Sequence, residues 1–240
     1  GSPNDTAPAD YKLVELEVGC SSCGSFVPLV FTTTVAPKNL EAASNDGSIF
    51  VNVFDASGIG ISGVTIHVAN SSITPPIDLF DTSNASGVLQ LVGVQTSTQS
   101  YRIDVSKTGY SSDKTYPPGA PSNPNPLKPH ATVAAQTVTQ VSFAIDRVST
   151  LNVRTSDVVC SPISGQNFAL QGSKLIGASP DVLKFTTSST TGGSGLKTFS
   201  SLEWDTYTLN FTGAGNYLVG TIPFSPLIIN PSSTQDFRFV

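Results

Sequence analysis

The sequence predicts an all-β protein, an N-terminal β-hairpin segment followed by two tandem antiparallel β-sandwiches, and three observations predict it. Apolar residues recur at every second position in run after run, and no window shows helical spacing. The 20 Gly and 17 Pro are spread between those runs, as turns joining short strands require. The second half of the chain also repeats the first at an offset near a hundred residues.

The elements follow in order along the 240 residues. Residues 1–10 are a polar lead-in whose Gly1-Ser2 reads as a cloning remnant. Residues 11–44 form the hairpin segment: YKLVELEV and FVPLVFTTTV flank the Gly-bounded turn GCSSCG. Pro28 confines the second run to an edge or a bulge, because proline cannot donate to a ladder. The first sandwich takes residues 45–148. There Ile49, Val51 and Val53, then Val64, Ile66 and Val68, then Tyr101, Ile103 and Val105 form the inward sets. His67 falls on the opposite face. The second sandwich takes residues 149–240, and a boundary near 147–150 is too short a linker for free tumbling.

The repeat is read from matched landmarks. Val51-Asn52-Val53 answers Leu151-Asn152-Val153, and Ile61-Ser62-Gly63 answers Ile163-Ser164-Gly165. Phe80–Ser83 is paired with Phe185–Ser188, Tyr101 with Tyr207, and Tyr110 with Tyr217. Thr139-Gln140 before VSFAI matches Thr234-Gln235 before DFRFV. Similar order at similar spacing means one fold written twice.

Composition narrows the partners. A net charge of −5 with only 12 Lys and Arg, and no basic run, excludes a phosphate-tracking surface, so no nucleic acid partner is expected. No polybasic segment marks an anionic membrane, and no apolar stretch of bilayer length is present.

SIFVNVFDASGIGISGVTIHV, a Gly turn and SYRIDVSKTGYSSD resemble the carboxypeptidase-regulatory-like, transthyretin-like (Ig-like) sandwich family. The resemblance covers residues 47–147 well and 149–240 less sharply, where DVVCSPISG and LEWDTYTL depart from the pattern. NPNPLKPHATVAAQTVTQVSFAID and YKLVELEV…FTTTVAPKNLE are similar to prepilin-like bacterial surface proteins. That resemblance implies a cleavable hydrophobic helix upstream of Pro3, and membrane attachment only through that segment. Related domains of Gram-positive pili lock themselves with a Lys–Asn isopeptide. Here SIFVNVFD and TLNVRT carry no lysine, and Val105 and Phe211 stand where the acid would sit, so no such crosslink is expected.

Candidate chemistry is sparse. Cys20 and Cys23 spell C-x-x-C and admit three readings: a disulfide across the hairpin turn, two free thiols, or a metal or redox pair. The pairing habit of oxidising compartments favours the first. Cys160 is left over, either a small buried group or a free thiol. His67 and His130 belong to no H-E-x-x-H or G-x-S-x-G arrangement, so no catalytic residue and no metal site is expected. Asp46, Asp78, Asp81, Glu203 and Asp205 spell no calcium loop, and no cofactor is called for. Trp204, the sole tryptophan, stands with Tyr207 in LEWDTY; the pair is either a sugar-stacking surface or a cover for the sandwich edge, with the cover favoured. Asn70, Asn84 and Asn210 stand in N-x-S/T sequons without meaning in a bacterial protein.

The expectation is a non-enzymatic extracellular ectodomain of a pilin-like or adhesin-like surface protein, with the sandwiches as rigid spacers. Its partners would be other surface or pilus proteins or cell-surface glycans. The alternative is a carbohydrate-binding accessory module of a larger secreted enzyme.

Overall fold

The computed structural model describes residues 12–19, 29–35, 45–213 and 215–240. The chain falls into two units, residues 1–45 and 46–240. In the first, β1 (Lys12–Val18) pairs antiparallel with β2 (Leu29–Val35), in a register that sets Leu16 opposite Phe31 and Val18 opposite Leu29. Pro28, which the sequence confines to an edge or a bulge, lies outside the described residues. The hairpin turn with Cys20 and Cys23 lies outside the described residues.

The second unit is two β-sandwiches in tandem. The first contains β3 (Asp46–Phe54), β4 (Thr65–Asn70), β5 (Ile77–Thr82), β6 (Val88–Gln95), β7 (Ser97–Ser106), β8 (Asp113–Lys114), β9 (Ala131–Val133) and β10 (Val138–Ala144). One sheet runs β10-β3-β6 and the other β5-β4-β7-β8, with β9 also on β7. The second sandwich contains β11 (Ser149–Thr155), β12 (Asn167–Gly172), β13 (Leu175–Gly177), β14 (Val182–Leu183), β15 (Thr186–Thr190), β16 (Leu196–Leu202), β17 (Asp205–Phe211), β18 (Thr221–Ile222), β19 (Leu227–Ile229) and β20 (Thr234–Phe239). Its sheets run β16-β11-β20-β18 and β15-β12-β17-β19; β16-β11-β20 and β15-β12-β17 keep the order of β6-β3-β10 and β5-β4-β7 in the first copy, and β18 adds a strand beside β20.

Alternation builds both cores. Ile49, Val51, Val53, Ile66, Val68, Tyr101, Ile103 and Val105 are buried in the first, with Phe143 and Ile145. Leu151, Val153, Phe168, Leu170, Tyr207, Leu209, Phe237 and Phe239 fill the second. Each such aliphatic or aromatic side chain contributes about 1.5–3 kcal/mol by leaving water. The second interior is aromatic-rich: Phe168 stands edge-on to Phe199 with centroids 6.2 Å apart, and Phe239 lies 5.1 Å from Phe237.

Two details depart from the sequence reading. The sheets are not wholly antiparallel, since β10 runs parallel to β3 and β20 parallel to β11. First and last strands that run parallel bring the chain in at one end of a sandwich and out at the other. The second departure is one of alignment. Gly63 N donates to Ser83 O at 2.9 Å, and Gly165 N donates to Thr191 O at 3.0 Å. Ser83 therefore corresponds to Thr191 and not to Ser188; the β13–β14 insertion carries the extra length, and residue type misled where hydrogen bonding decides. Tyr101 and Tyr207 do correspond, whereas Tyr110 is half-buried beside Arg147 and Tyr217 is 96% exposed.

Candidate functional site

The densest polar cluster among the described residues lies where the two sandwiches meet. It begins with segment 115–130, TYPPGAPSNPNPLKPH. Its six prolines supply no N–H, so the segment cannot join a ladder and leaves the sheet as an arm. The base of the arm is pinned. Thr115 N donates to Ile103 O at 2.9 Å, Ile103 N donates to Thr115 Oγ1 at 2.9 Å, and His130 Nδ1 lies 3.0 Å from the same hydroxyl. Tyr116 N donates to Lys128 O at 2.8 Å and His130 N to Tyr116 O at 2.9 Å, closing its neck.

The tip of the arm docks on the β13–β14 hairpin of the other sandwich. Asn123 Nδ2 and Leu127 N both donate to Ile176 O at 3.0 Å. Ala178 N donates to Asn125 O at 3.0 Å, and Asn125 Nδ2 donates to Ser179 O at 2.8 Å. Asn123 is buried there, at 4% exposure. Asn residues suit this task because one side chain carries both donor and acceptor.

Behind the docked tip, charges alternate across the junction. Lys128 contacts the Asp113 carboxylate, and Lys184 lies 3.7 Å from Asp113 and 2.7 Å from Glu203. Lys174 donates to Glu203 at 2.8 Å, and its ammonium sits 3.3 Å from the centre of the Trp204 ring. Asp113 and Lys128 belong to the first sandwich, the others to the second, so the Lys184–Asp113 pair crosses between them. Burial pushes the Lys174 pKa down, and its hydrogen bond to Glu203 pulls in the opposite direction. Burial raises the Tyr116 pKa, and the Asp113 charge adds to the rise. These side chains wall a cavity of about 300 Å³.

The residues singled out from sequence are not gathered at one place. Tyr207 is 1% exposed and fills the second core, where burial raises its pKa well beyond the phenolic range; its hydroxyl donates to Glu203 O at 2.9 Å. Trp204 is partly buried in the junction under Lys174. Trp204 thus stands in the turn before β17 and Tyr207 within β17, and the two share no flat surface. Cys160 is an exposed free thiol 3.3 Å from Arg238 Nη1, so of its two readings the buried one is corrected. It stands in the tight 157–161 turn, where Asp157 Oδ1 accepts from Val159 N and Ser161 N and holds the chain outward.

His67 lies between two carboxylates, 2.6 Å from Asp78 and 3.6 Å from Asp104, with its ring stacked on Phe80 at 4.0 Å. No hydroxyl or thiol is bonded to it among the described residues, so the arrangement orients an imidazole without activating a nucleophile. No group of three or more His, Cys, Asp or Glu among the described residues is placed to hold a metal. The junction was missed from sequence because its parts are scattered from Asp113 to Trp204. Its one legible signal was the density of Pro and Asn in 117–129.

No protein-family model matches the chain, and no curated protein matches it in sequence. Among solved structures it is similar to the TIE protein of Bacillus anthracis, at 14% identity over 89% of this chain and 38% of that one, with a TM-score of 0.33. This chain thus spans little more than a third of that protein. It is also similar to a shaft pilin of Lactobacillus rhamnosus, at 12% identity over 81% and 97% of the two chains and a TM-score of 0.31. A minor pilin of Streptococcus agalactiae is similar at 14% identity over 81% and 96%, with a TM-score of 0.31.

Proposed function

We propose that this chain is a non-enzymatic extracellular ectodomain of a pilin-like or adhesin-like surface protein, whose two sandwiches form one stiff spacer. The observation that carries the reading is the docked 115–130 arm. Four hydrogen bonds from its tip, together with the Lys184–Asp113 pair, tie the first sandwich to the second. A linker of a few residues would already restrain the copies; the arm removes the remaining rotation. Entry and exit at opposite ends of each sandwich suit modules that are strung end to end. Other pilus or surface proteins are the partners such a spacer would serve, and membrane attachment would come through an upstream helix. Tyr207 lies in the core, so the carbohydrate-module alternative loses the surface it relied on.

Residual dipolar couplings test the reading. In a weakly aligned sample, amides of residues 46–145 and 151–240 should fit a single alignment tensor. Two tensors of different magnitude would mean independent tumbling, and the spacer reading would fail.

A further inference from the structure

The second sandwich carries an apolar surface that its core does not use. Residues 206–235 contain no charged side chain. Within that stretch Tyr217 is 96% exposed, Phe224 86%, Val219 73% and Ile222 62%. Val158 and Val159, in the 157–161 turn, are exposed by 72% and 75%. Backbone bonds bring the two segments together at the end of β20: Ser156 N donates to Phe239 O at 3.1 Å, and Val219 N donates to Val240 O at 2.6 Å. The longer segment is pinned further along, where Ile222 of β18 pairs with Arg238 of β20 and Leu209 N donates to Ser225 Oγ at 3.0 Å. Its apolar side chains are therefore held out in water by bonded backbone and not by the fraying of a loop.

We propose that this surface is a twofold interface between two copies of the chain, with Tyr217 and Phe224 as its anchors. Area is the first argument. The six side chains expose on the order of 600 Å², the upper end of what a monomer leaves uncovered and most of the ~800 Å² that each partner gives to a standard interface. Charge is the second argument, and it selects a second copy over an unlike protein. A twofold contact sets one patch against itself, so any charged group near the axis meets its own like. With a net charge of −5, the chain avoids that repulsion only where charge is absent, as it is over 206–235. Complementary charge, which steers an unlike partner into register, is missing from the same stretch. The contact closes at two copies. β18 is a two-residue edge strand followed by Pro223, which has no N–H, so it offers no ladder along which further strands could add. Side chains make the interface, and aromatic anchors such as Tyr217 carry most of the energy of such contacts. The pairing stands whether or not the two sandwiches form one stiff spacer.

Sedimentation velocity on the full chain tests the proposal, from about 1 to 500 µM at physiological salt. The expected result is a rise from the monomer mass to twice that mass, half complete at roughly 10–100 µM, the weak end for an interface of this size. Tyr217→Ser and Phe224→Ser should each weaken the association at least tenfold. Both side chains lie outside the core, so the urea midpoint of dilute, monomeric protein should not move. A wild-type chain that stays monomeric at 500 µM overturns the proposal without reference to any variant. A dimer indifferent to both substitutions also overturns it, and its loss on Leu16→Ser, at a side chain 60% exposed on β1, would place the contact on the hairpin. Mass that keeps growing past two copies would mean a head-to-tail contact and would sink the twofold arrangement.

Discussion

Tyr207 donates its phenolic hydrogen to the carbonyl of Glu203 at 2.9 Å, so the residue that fills the second core also positions the residue whose carboxylate holds Lys174 and Lys184. Tyr101 does the same for Gln95 in the first copy, at 2.5 Å. In each sandwich a buried tyrosine, on β7 or on β17, thus ties its strand to the backbone a few residues upstream, as in the tyrosine corner of immunoglobulin-type folds. Tyr207→Phe keeps the ring and deletes one hydrogen bond. It should cost about 1 kcal/mol by urea unfolding. A change well under half of that would mean the hydroxyl is ornamental.

The aromatic second core makes a larger prediction. Phe168 is fully buried between Phe199 and Phe239. Phe168→Ala should destabilise by about 3–5 kcal/mol, because the removed ring leaves a hole that rigid sheets cannot close. Val92→Ala, on a side chain 76% exposed on β6, should stay within about 0.5 kcal/mol. Equal effects at the two positions would contradict the assigned faces of the strands.

His130 gives the base of the arm a pH dependence. Burial lowers its pKa below the ordinary value of 6.5, Arg102 lowers it further, and Asp104 opposes them. The unfolded chain therefore takes up the proton first as pH falls through the ordinary histidine range. Stability contributed by the neutral ring is present above that range, declines as pH drops through it, and levels off once the folded imidazole is also protonated. Thermal melts between pH 8 and pH 4 should show less decline for His130→Gln than for the wild type. Identical profiles would remove His130 from the account.

Much of the fold was legible because strand alternation is a local signal. Ile49, Val51 and Val53 face inward together, as do Tyr101, Ile103 and Val105, for the reason that every second side chain must. The parallel pairing of β3 with β10 was not legible, since strands separated by about ninety residues leave no mark of their direction in either sequence. Nor was the Ser83–Thr191 correspondence, where the equivalence rests on backbone bonds and the residues nearby in sequence look alike. The junction was least legible of all. Lys174 reads as an ordinary surface lysine until Glu203 and Trp204 are brought beneath it by the turn between β16 and β17.

The arm's docking depends on the absence of one carbon. A Cβ added at Gly177 would lie 1.9 Å from Asn123 Oδ1 and 3.2 Å from Asn125 O. The first contact is far inside any tolerated distance, and Asn123 is buried, so its amide has little space in which to turn. The second involves backbone and resists adjustment. Gly177→Ala should therefore lift the tip from the β13–β14 hairpin and break the bonds to Ile176 O, while leaving both sandwich cores intact. The expected signature is twofold. Amides of 123–127 and 176–179 should lose hydrogen-exchange protection, and the two halves should cease to fit one alignment tensor, with core amides such as Val51 and Leu170 still protected. Retained protection at the tip would show that the arm docks by other means. Loss of core protection would place the glycine's role in folding each sandwich and not in joining them.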